Sequence, residues 1–506
     1  MADESREEAI RLFLRTSSIN GMDRVFAIGP FGGRVSFASQ QRRALNTVWA
    51  LEQDGCIAAG SKVAVLGGGL AGVTAATALA ARKCIVHLFE SEQRILSVQQ
   101  DTNHRFVHPT INFWPEMDLS PTTKFPFLDW HADKCSRIID VLHDEWRLHF
   151  KKYITKTYLK SEVKKIETED GLPFVVCAPG GDAPERSGPY KAVIMAMGFG
   201  RERSVKGLPF VSYWDRDELV DAEGSAPTKT VSGVGDGGLI DALRVVHREF
   251  RGGRLSLDLI EALMQTGIPN LLKSAEKAVR NKAGTDREIA AVEYQKCYQQ
   301  ILEDMPPVAL EPLNRSLRDD LNEPVMMLGG TSTPYSLTAA PIHKLMLAHA
   351  ISREVIEYKQ ANLADGPVLM VGGVKASLAK PCIVRHGPDP DLGGLLDKAQ
   401  IGALRDRQMV LDDVLSDAHY DGSYWAAWSE YPQQNFTDPG FVALRYRSAA
   451  DYVLHEFNLP LTQADDDGKA SYYVSQDPKR PDLVRRVPPE LYGIRTEVRP
   501  PRVFHA

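Results

Sequence analysis

The chain has 506 residues, 43% hydrophobic and 25% charged, a balance that builds several packed domains and excludes a collagen-like, low-complexity or wholly disordered protein. Its formal charge of −6 comes from 60 basic and 66 acidic residues spread along the chain, so no basic stripe invites nucleic acid as a partner. Six widely spaced cysteines, with no CxxC pair and no Cys/His cluster of zinc-ligand spacing, argue against a close-spaced redox dithiol and a structural metal.

The opening MADESREEAIRLFLRTSS is acidic where a signal peptide is basic, and no run of about 18 apolar residues follows anywhere. A cytoplasmic protein without a membrane partner is expected. Residues 1–60 hold two helix-like stretches around the loop IGPFGGRVSF. They read as an N-terminal helical extension that braces the next domain or a subunit interface, which leaves a homo-oligomer open.

Residues 61–90, SKVAVLGGGLAGVTAATALAARKCIVHLFE, parse as an apolar strand, a glycine turn, an Ala-rich helix and a second apolar strand ending in an acid. In this βαβ unit Gly67 permits the tight turn, Gly69 lets the backbone approach a pyrophosphate, and Gly72 allows helix to pack closely on strand. The free N–H groups where the helix starts, at Leu70 and Ala71, face the phosphates. Glu90, at the end of the second strand, is placed to accept hydrogen bonds from ribose hydroxyls.

The pattern resembles the FAD-binding fingerprint of the two-dinucleotide-binding flavoprotein superfamily. That resemblance implies an α/β fold: a Rossmann-type FAD-binding domain with a β-meander (61–227), then a second Rossmann-like NAD(P)-binding lobe with a helical insertion (228–322). A return to the FAD domain (323–399) and a C-terminal region of unassigned role (400–506) complete it. Arg94 stands where amine-oxidase-like members have an Arg followed by paired glycines, although here Ile95-Leu96-Ser97 follow.

The next segment, QQDTNHRFVHPTINFWPE, is rich in polar and aromatic groups. In related folds this stretch runs past the flavin ring, so His104, Arg105, His108 and Trp114 become candidates for the flavin face or a small-molecule substrate pocket. A cationic Arg or His there would stabilise an anionic reduced flavin. Residues 130–153 read as an amphipathic helix with Ile138, Val141 and Trp146 toward a core.

Residues 161–200 read as a strand, turn and strand, then a polar loop and a buried strand ending in Ala196-Met197-Gly198. The resemblance makes this the meander and its return strand, puts the backbone of Val163 at the adenine, and places Gly198 against the cofactor. At 228–243, TKTVSGVGDGGLIDAL repeats the strand and glycine spacing with Gly233, Gly235 and Gly238, and Asp236 lies inside the turn. NAD(P)H-using flavoproteins begin their nicotinamide domain at this point.

Downstream, LSLDLIEALMQTG reads equally as strand or helix, so Asp258 is either a ribose-binding acid or a helical residue. Residues 255–320 have a helical, inserted character. The segment 323–352 gives a strand, a Gly329-Gly330 turn and an apolar helix, read as the return toward FAD, and Arg385 and His386 lie in a later polar loop.

The resemblance implies an FAD-dependent oxidoreductase that takes hydride from NAD(P)H and passes electrons to oxygen or a small-molecule acceptor, as flavin monooxygenases do. Without a CxxC pair a dithiol relay is disfavoured. Two alternatives stay open. One is an amine or amino-acid oxidase in which Arg105 or Arg385 clamps a carboxylate; the other is a redox-sensing flavoprotein.

Overall fold

Two sheets, one parallel throughout and the other parallel apart from an N-terminal antiparallel pair, organise the chain, each with a glycine turn at its C-terminal edge. A computed structural model describes residues 2–409 apart from 217–228, 364–367, 379–381 and scattered single positions or pairs. The aromatic tail with Tyr424, Trp425 and Trp428 therefore lies outside the described residues.

The first unit begins with α1 (Ala2–Ser17), β1 (Ser18–Ile19), β2 (Met22–Ala27) and α2 (Phe37–Gln53). Ser36 and Ser39 close a reciprocal capping box at the start of α2, satisfying two otherwise orphaned amides. The βαβ core follows as β3 (Lys62–Leu66), α3 (Leu70–Ala81) and β4 (Ile85–Phe89). The small Ala and Gly side chains of α3 let it lie between the sheet and α2, nearly fully buried.

Short strands β5 (Phe106–Val107) and β6 (Asp133–Lys134) pair across the loop segment, and α4 (Cys135–Glu145) continues into a π turn at Trp146–Phe150. Ile138 and Trp146 enter the core as their spacing predicts. Next come β7 (Lys156–Tyr158), the antiparallel meander β8 (Ser161–Glu169), β9 (Leu172–Pro179) and β10 (Glu185–Ser187), and β11 (Ala192–Met195). The sheet order is β1-β2-β11-β3-β4-β7.

Residues 1–60 are thus part of the first unit rather than an extension of it. Val25, Phe26 and Ala27 of β2 pair in parallel with Val193, Ile194 and Met195 of β11, so the N-terminal segment supplies a strand and α2 supplies a covering helix. The period-2 signal of this short strand is hidden because all three pairing residues are buried.

The second unit opens with β12 (Thr230–Ser232) and α5 (Asp236–Val246), then inserts α6 (Leu255–Leu263), α7 (Ile268–Ala283), α8 (Arg287–Glu303) and α9 (Pro307–Ser316). It resumes with β13 (Val325–Gly329), α10 (Pro341–Ser352) and β14 (Ile356–Gln360). A hairpin of β15 (Val368–Val371) and β16 (Val374–Ser377) leads to β17 (Cys382–Val384). The sheet runs β14-β13-β12-β17, parallel throughout.

Two expectations are corrected here. Asp258 lies in the first turn of α6 and does not line the cleft shared by the glycine turns, so it is not the ribose acid that the strand reading places at a strand end. Residues 323–360 do not return to the first unit: β13 pairs directly with β12, Val231 opposite Met327, and completes the second sheet after the helical insertion. The return comes later, through α11 (Lys398–Gln408), whose approach places Leu392, Leu396 and Leu404 in one core with Val163 and Val175.

Gln408 seals that return. Its side-chain oxygen accepts from Phe31 N at 3.2 Å, and its amide nitrogen donates to Thr16 O and Ala27 O, each at 3.1 Å, all in the interior. Replacing Gln408 with Ala leaves these backbone groups unpaired, so urea unfolding of the variant is expected to show a loss of about 1–3 kcal/mol; an unchanged midpoint would contradict this role for α11.

Candidate active site

The two glycine turns are built by the same steric rule. In the first, Gly67 has φ +104° and a Cβ there would collide with Ala196 O, while a Cβ on Gly72 would collide with Gly67 O. In the second, Gly233 has φ +135° and a Cβ there would collide with Arg385 O, while a Cβ on Gly238 would collide with Gly233 O. Ala196 follows β11 and Arg385 follows β17, so in each unit a neighbouring strand ends against the first glycine.

The middle glycines differ from these. A Cβ on Gly69 meets nothing within 4 Å, and one on Gly235 meets only Thr338 Oγ1 at 3.7 Å. Both are N-caps without a side-chain hydrogen bond, so the first amides of α3, starting at Leu70 and Ala71, and those of α5 present unsatisfied donors. Each turn is therefore a cradle into which a pyrophosphate fits.

Both turns open on one cleft of about 3040 Å³. Single small-molecule sites run to about 300–1,000 Å³, so the space suits more than one large ligand. Glu90, nearly buried, accepts from Gly68 N at 2.5 Å and Glu92 N at 2.7 Å, which fixes its carboxylate at the strand end on the cleft wall. Val163 lines the same wall beside a bulge in β8, and Gly198, with φ +72°, lines it beyond β11.

The remaining sequence candidates separate. Arg105 and His108 line the cleft, but His104 does not; the carbonyl of His104 instead packs against Gly252 of the second unit. Trp114 is buried in the core of the second unit, and anchors the loop there rather than facing a ligand. Arg94 is exposed beyond the cleft, on the side of α4. Asp236 lines the cleft with its carboxylate already engaged: Oδ1 accepts from Ala340 N at 2.9 Å and contacts His343 Nδ1 at 2.7 Å. Burial opposes its ionisation, but His343 and the Ala340 amide hold its carboxyl below the usual range.

His108 is fully enclosed. Burial pushes its imidazole down to about 3, and its Nδ1 accepts from Thr110 N, so at neutral pH it is uncharged and cannot supply the expected cation. Arg105 is the cation of this loop.

At the junction of the units, the buried carboxylate of Asp241 on α5 binds three guanidinium groups: Arg105, Arg385 Nε at 2.7 Å and Arg244 Nη1 at 3.0 Å. Burial alone would raise its carboxyl, yet these cations hold it far below the usual range. Arg385 also reaches Glu202 at 3.2 Å, and the Tyr213 ring lies 3.9 Å from the Arg105 guanidinium. The signal for Asp241 is present in GGLIDALRVV as an acid on the apolar face of a helix; that for Arg385 and Glu202 is not, because their partners are distant in sequence.

A second ionic chain crosses the junction. Arg34 binds Glu116 at 2.6 Å, Arg280 lies 3.7 Å from Glu116 and 3.6 Å from Glu276, and Glu276 binds Lys344 at 2.6 Å. Tyr294 and Tyr298 both donate to Glu276.

Each unit thus has a Rossmann-like arrangement, a parallel strand running through a glycine turn into a helix N-terminus beside a neighbouring parallel strand. The NAD(P)-binding Rossmann-like domain family matches residues 65–121, which span the first turn, Glu90 and the loop carrying Arg105 and His108. No curated protein matches the chain. Among solved structures it is similar to the bacillithiol disulfide reductase Bdr of Staphylococcus aureus, at 10% identity over 66% of this chain and 78% of that one, TM-score 0.36. It is also similar to a cyclohexanone monooxygenase mutant of Rhodococcus sp. Phi1 bound to NADP+, at 13% identity over 66% and 73%, TM-score 0.32. A thioredoxin reductase of Giardia duodenalis gives 13% identity over 68% and 81%, TM-score 0.29. Among the described residues no helix is long and apolar enough to cross a membrane.

Two outcomes test this electrostatic picture. Asp241→Asn removes the carboxylate that three guanidiniums share, and urea unfolding should show a loss of about 3–5 kcal/mol. His108 has a folded pKa of about 3 against about 6.5 when unfolded, so its contribution is complete above pH 6.5 and is lost as pH falls toward 3. Between pH 7 and pH 5, His108→Gln should therefore lose about 1–2 kcal/mol less stability than the parent chain; equal losses would mean that His108 protonates in place.

Proposed function

We propose that this chain is an FAD-dependent oxidoreductase, reduced by NAD(P)H, that delivers electrons to oxygen or to a small-molecule acceptor in the manner of a flavin monooxygenase. The observation that carries the reading is the pair of equivalent glycine cradles opening on one cleft. An oxidase reduced by its own substrate has no need of the second.

In this reading FAD lies on the first unit and supplies, when bound, the hydride acceptor and the electron donor to the final acceptor. The amides at the start of α3 hold its pyrophosphate, Glu90 its ribose and the backbone at Val163 its adenine. The amides at the start of α5, past Gly235, hold the nicotinamide nucleotide, while Asp236 pins α10 to α5 through Ala340 and His343. Arg105 adds positive charge to the cleft wall, moderated by Asp241. Phe37 and Trp214, whose rings lie 5.5 Å apart, form an aromatic wall that excludes water and suits an apolar substrate.

None of the six cysteines lines the cleft, which supports an acceptor other than a protein dithiol. The amino-acid oxidase alternative loses support because Arg105 and Arg385 are both bound to Asp241, so a substrate carboxylate would have to displace a buried counter-ion.

The middle glycines allow a clean test, since a side chain at either is tolerated by the fold and fills only the cradle. Gly69→Val should abolish flavin retention, read from the absorption band of the purified protein. Gly235→Val should retain flavin but lose its anaerobic bleaching by NADH or NADPH. Bleaching at the parent rate in Gly235→Val would sink the assignment of the second turn.

A further inference from the structure

The two turns share a register that identifies equivalent residues. Gly67 N donates to Phe89 O and Gly233 N donates to Leu328 O, each at 2.8 Å, so the counterpart of Glu90 is the next residue after Leu328, Gly329. In the first unit the Glu90 side chain lies over Gly68, where an added Cβ would sit 2.8 Å from its Oε2. In the second the bulk is exchanged. Val234 takes the place of Gly68, and a Cβ on Gly329 would come within 2.5 Å of Val234 Cγ1 and 2.8 Å of the Tyr358 hydroxyl. No acid can stand at this strand end, and Gly330, Thr331 and Ser332 beyond it provide none.

An acid arrives from the helical insertion instead. Glu288, in the first turn of α8, accepts from Ser332 N with both carboxylate oxygens at 3.1 Å. Glu90 makes a comparable contact one position earlier in its own unit, accepting from Glu92 N at 2.7 Å. Glu288 lines the same cleft as Gly329, Gly330 and Thr331 and is exposed to it, and a carboxylate has acceptor sites beyond the one amide it binds.

We infer that Glu288 is the ribose-binding acid of the second nucleotide site, and that this site therefore takes NADH in preference to NADPH. The inference rests on the NAD(P)H reading of the second turn given above. A carboxylate accepts hydrogen bonds from the 2′-hydroxyl of NADH and repels the 2′-phosphate of NADPH. The neighbouring Asp286, which caps α8, adds to that negative field, and Arg287 supplies one exposed cation against the pair.

The test uses the flavin-loaded protein and its Glu288→Gln variant, with binding of NAD+ and NADP+ followed by calorimetry and anaerobic flavin reduction by NADH and NADPH followed by stopped flow. The parent should favour the NAD form by about tenfold or more in both readouts. Glu288→Gln should weaken NAD+ binding several-fold, strengthen NADP+ binding and bring the preference within about threefold, with the flavin spectrum unchanged. A parent that prefers NADPH, or a variant that keeps the parent's preference for NADH, overturns the role of Glu288 while leaving the second turn as a nucleotide site. Failure of both nucleotides to bind or to reduce the parent overturns the nicotinamide reading itself, and the inference with it.

Discussion

The buried carboxylate of Asp241 holds the two halves of this molecule in register. It lies on the helix that follows the second glycine turn, yet one of its three guanidinium partners, Arg105, belongs to the loop beyond the first βαβ unit. A second, Arg385, ends the strand whose carbonyl covers Gly233. Charge-assisted bonds in a water-poor interior are strong when every member is paired and costly when one is missing. The junction is thus a two-way constraint: it fixes the angle between the cradles, and it commits both arginines so that neither is free to clamp a ligand carboxylate.

Around that junction the chemistry is divided between rigid and open positions. Four glycines, Gly67, Gly72, Gly233 and Gly238, are required by the packing of the fold itself, because backbone carbonyls occupy the space a side chain would need. Two others, Gly69 and Gly235, are open toward the cleft and carry the capacity to receive a ligand. In the proposed reading ligand binding is in this way separated from folding within six residues of chain in each unit. The buried Glu276, with Lys344, Tyr294 and Tyr298, belongs to the rigid class: burial pushes the ammonium of Lys344 down to about 8, and the glutamate and two phenols around it tie α7, α8 and α10 into one block.

That block accounts for the position of Glu288. An ordinary Rossmann unit places its ribose acid at the end of the second strand, reached directly from the first helix. Here 78 residues, 247–324, separate α5 from β13, and the helices they form bring their own side chains to the nucleotide edge of the sheet. Between Gly68/Glu90 and Val234/Gly329 the side-chain bulk changes strands while the turn itself is kept, and the proposed role of Glu288 moves a strand-end function to a helix.

By itself the sequence determined both glycine turns, the acid at Glu90, the meander and the helical insertion, because each element of them depends on neighbouring residues, local sterics and periodicity. Only the tertiary structure decided that Met22–Ala27 joins the first sheet, that Val325–Gly329 completes the second, and that Arg105, Asp241 and Arg385 meet. Likewise His104 and Trp114 carry the same polar and aromatic signal as Arg105 and His108, yet His104 does not line the cleft and Trp114 is packed into the second core. The reason is physical: strand partners and ion partners are chosen by which buried surfaces and charges remain unsatisfied when the whole chain closes, and those choices link residues about a hundred positions apart or more.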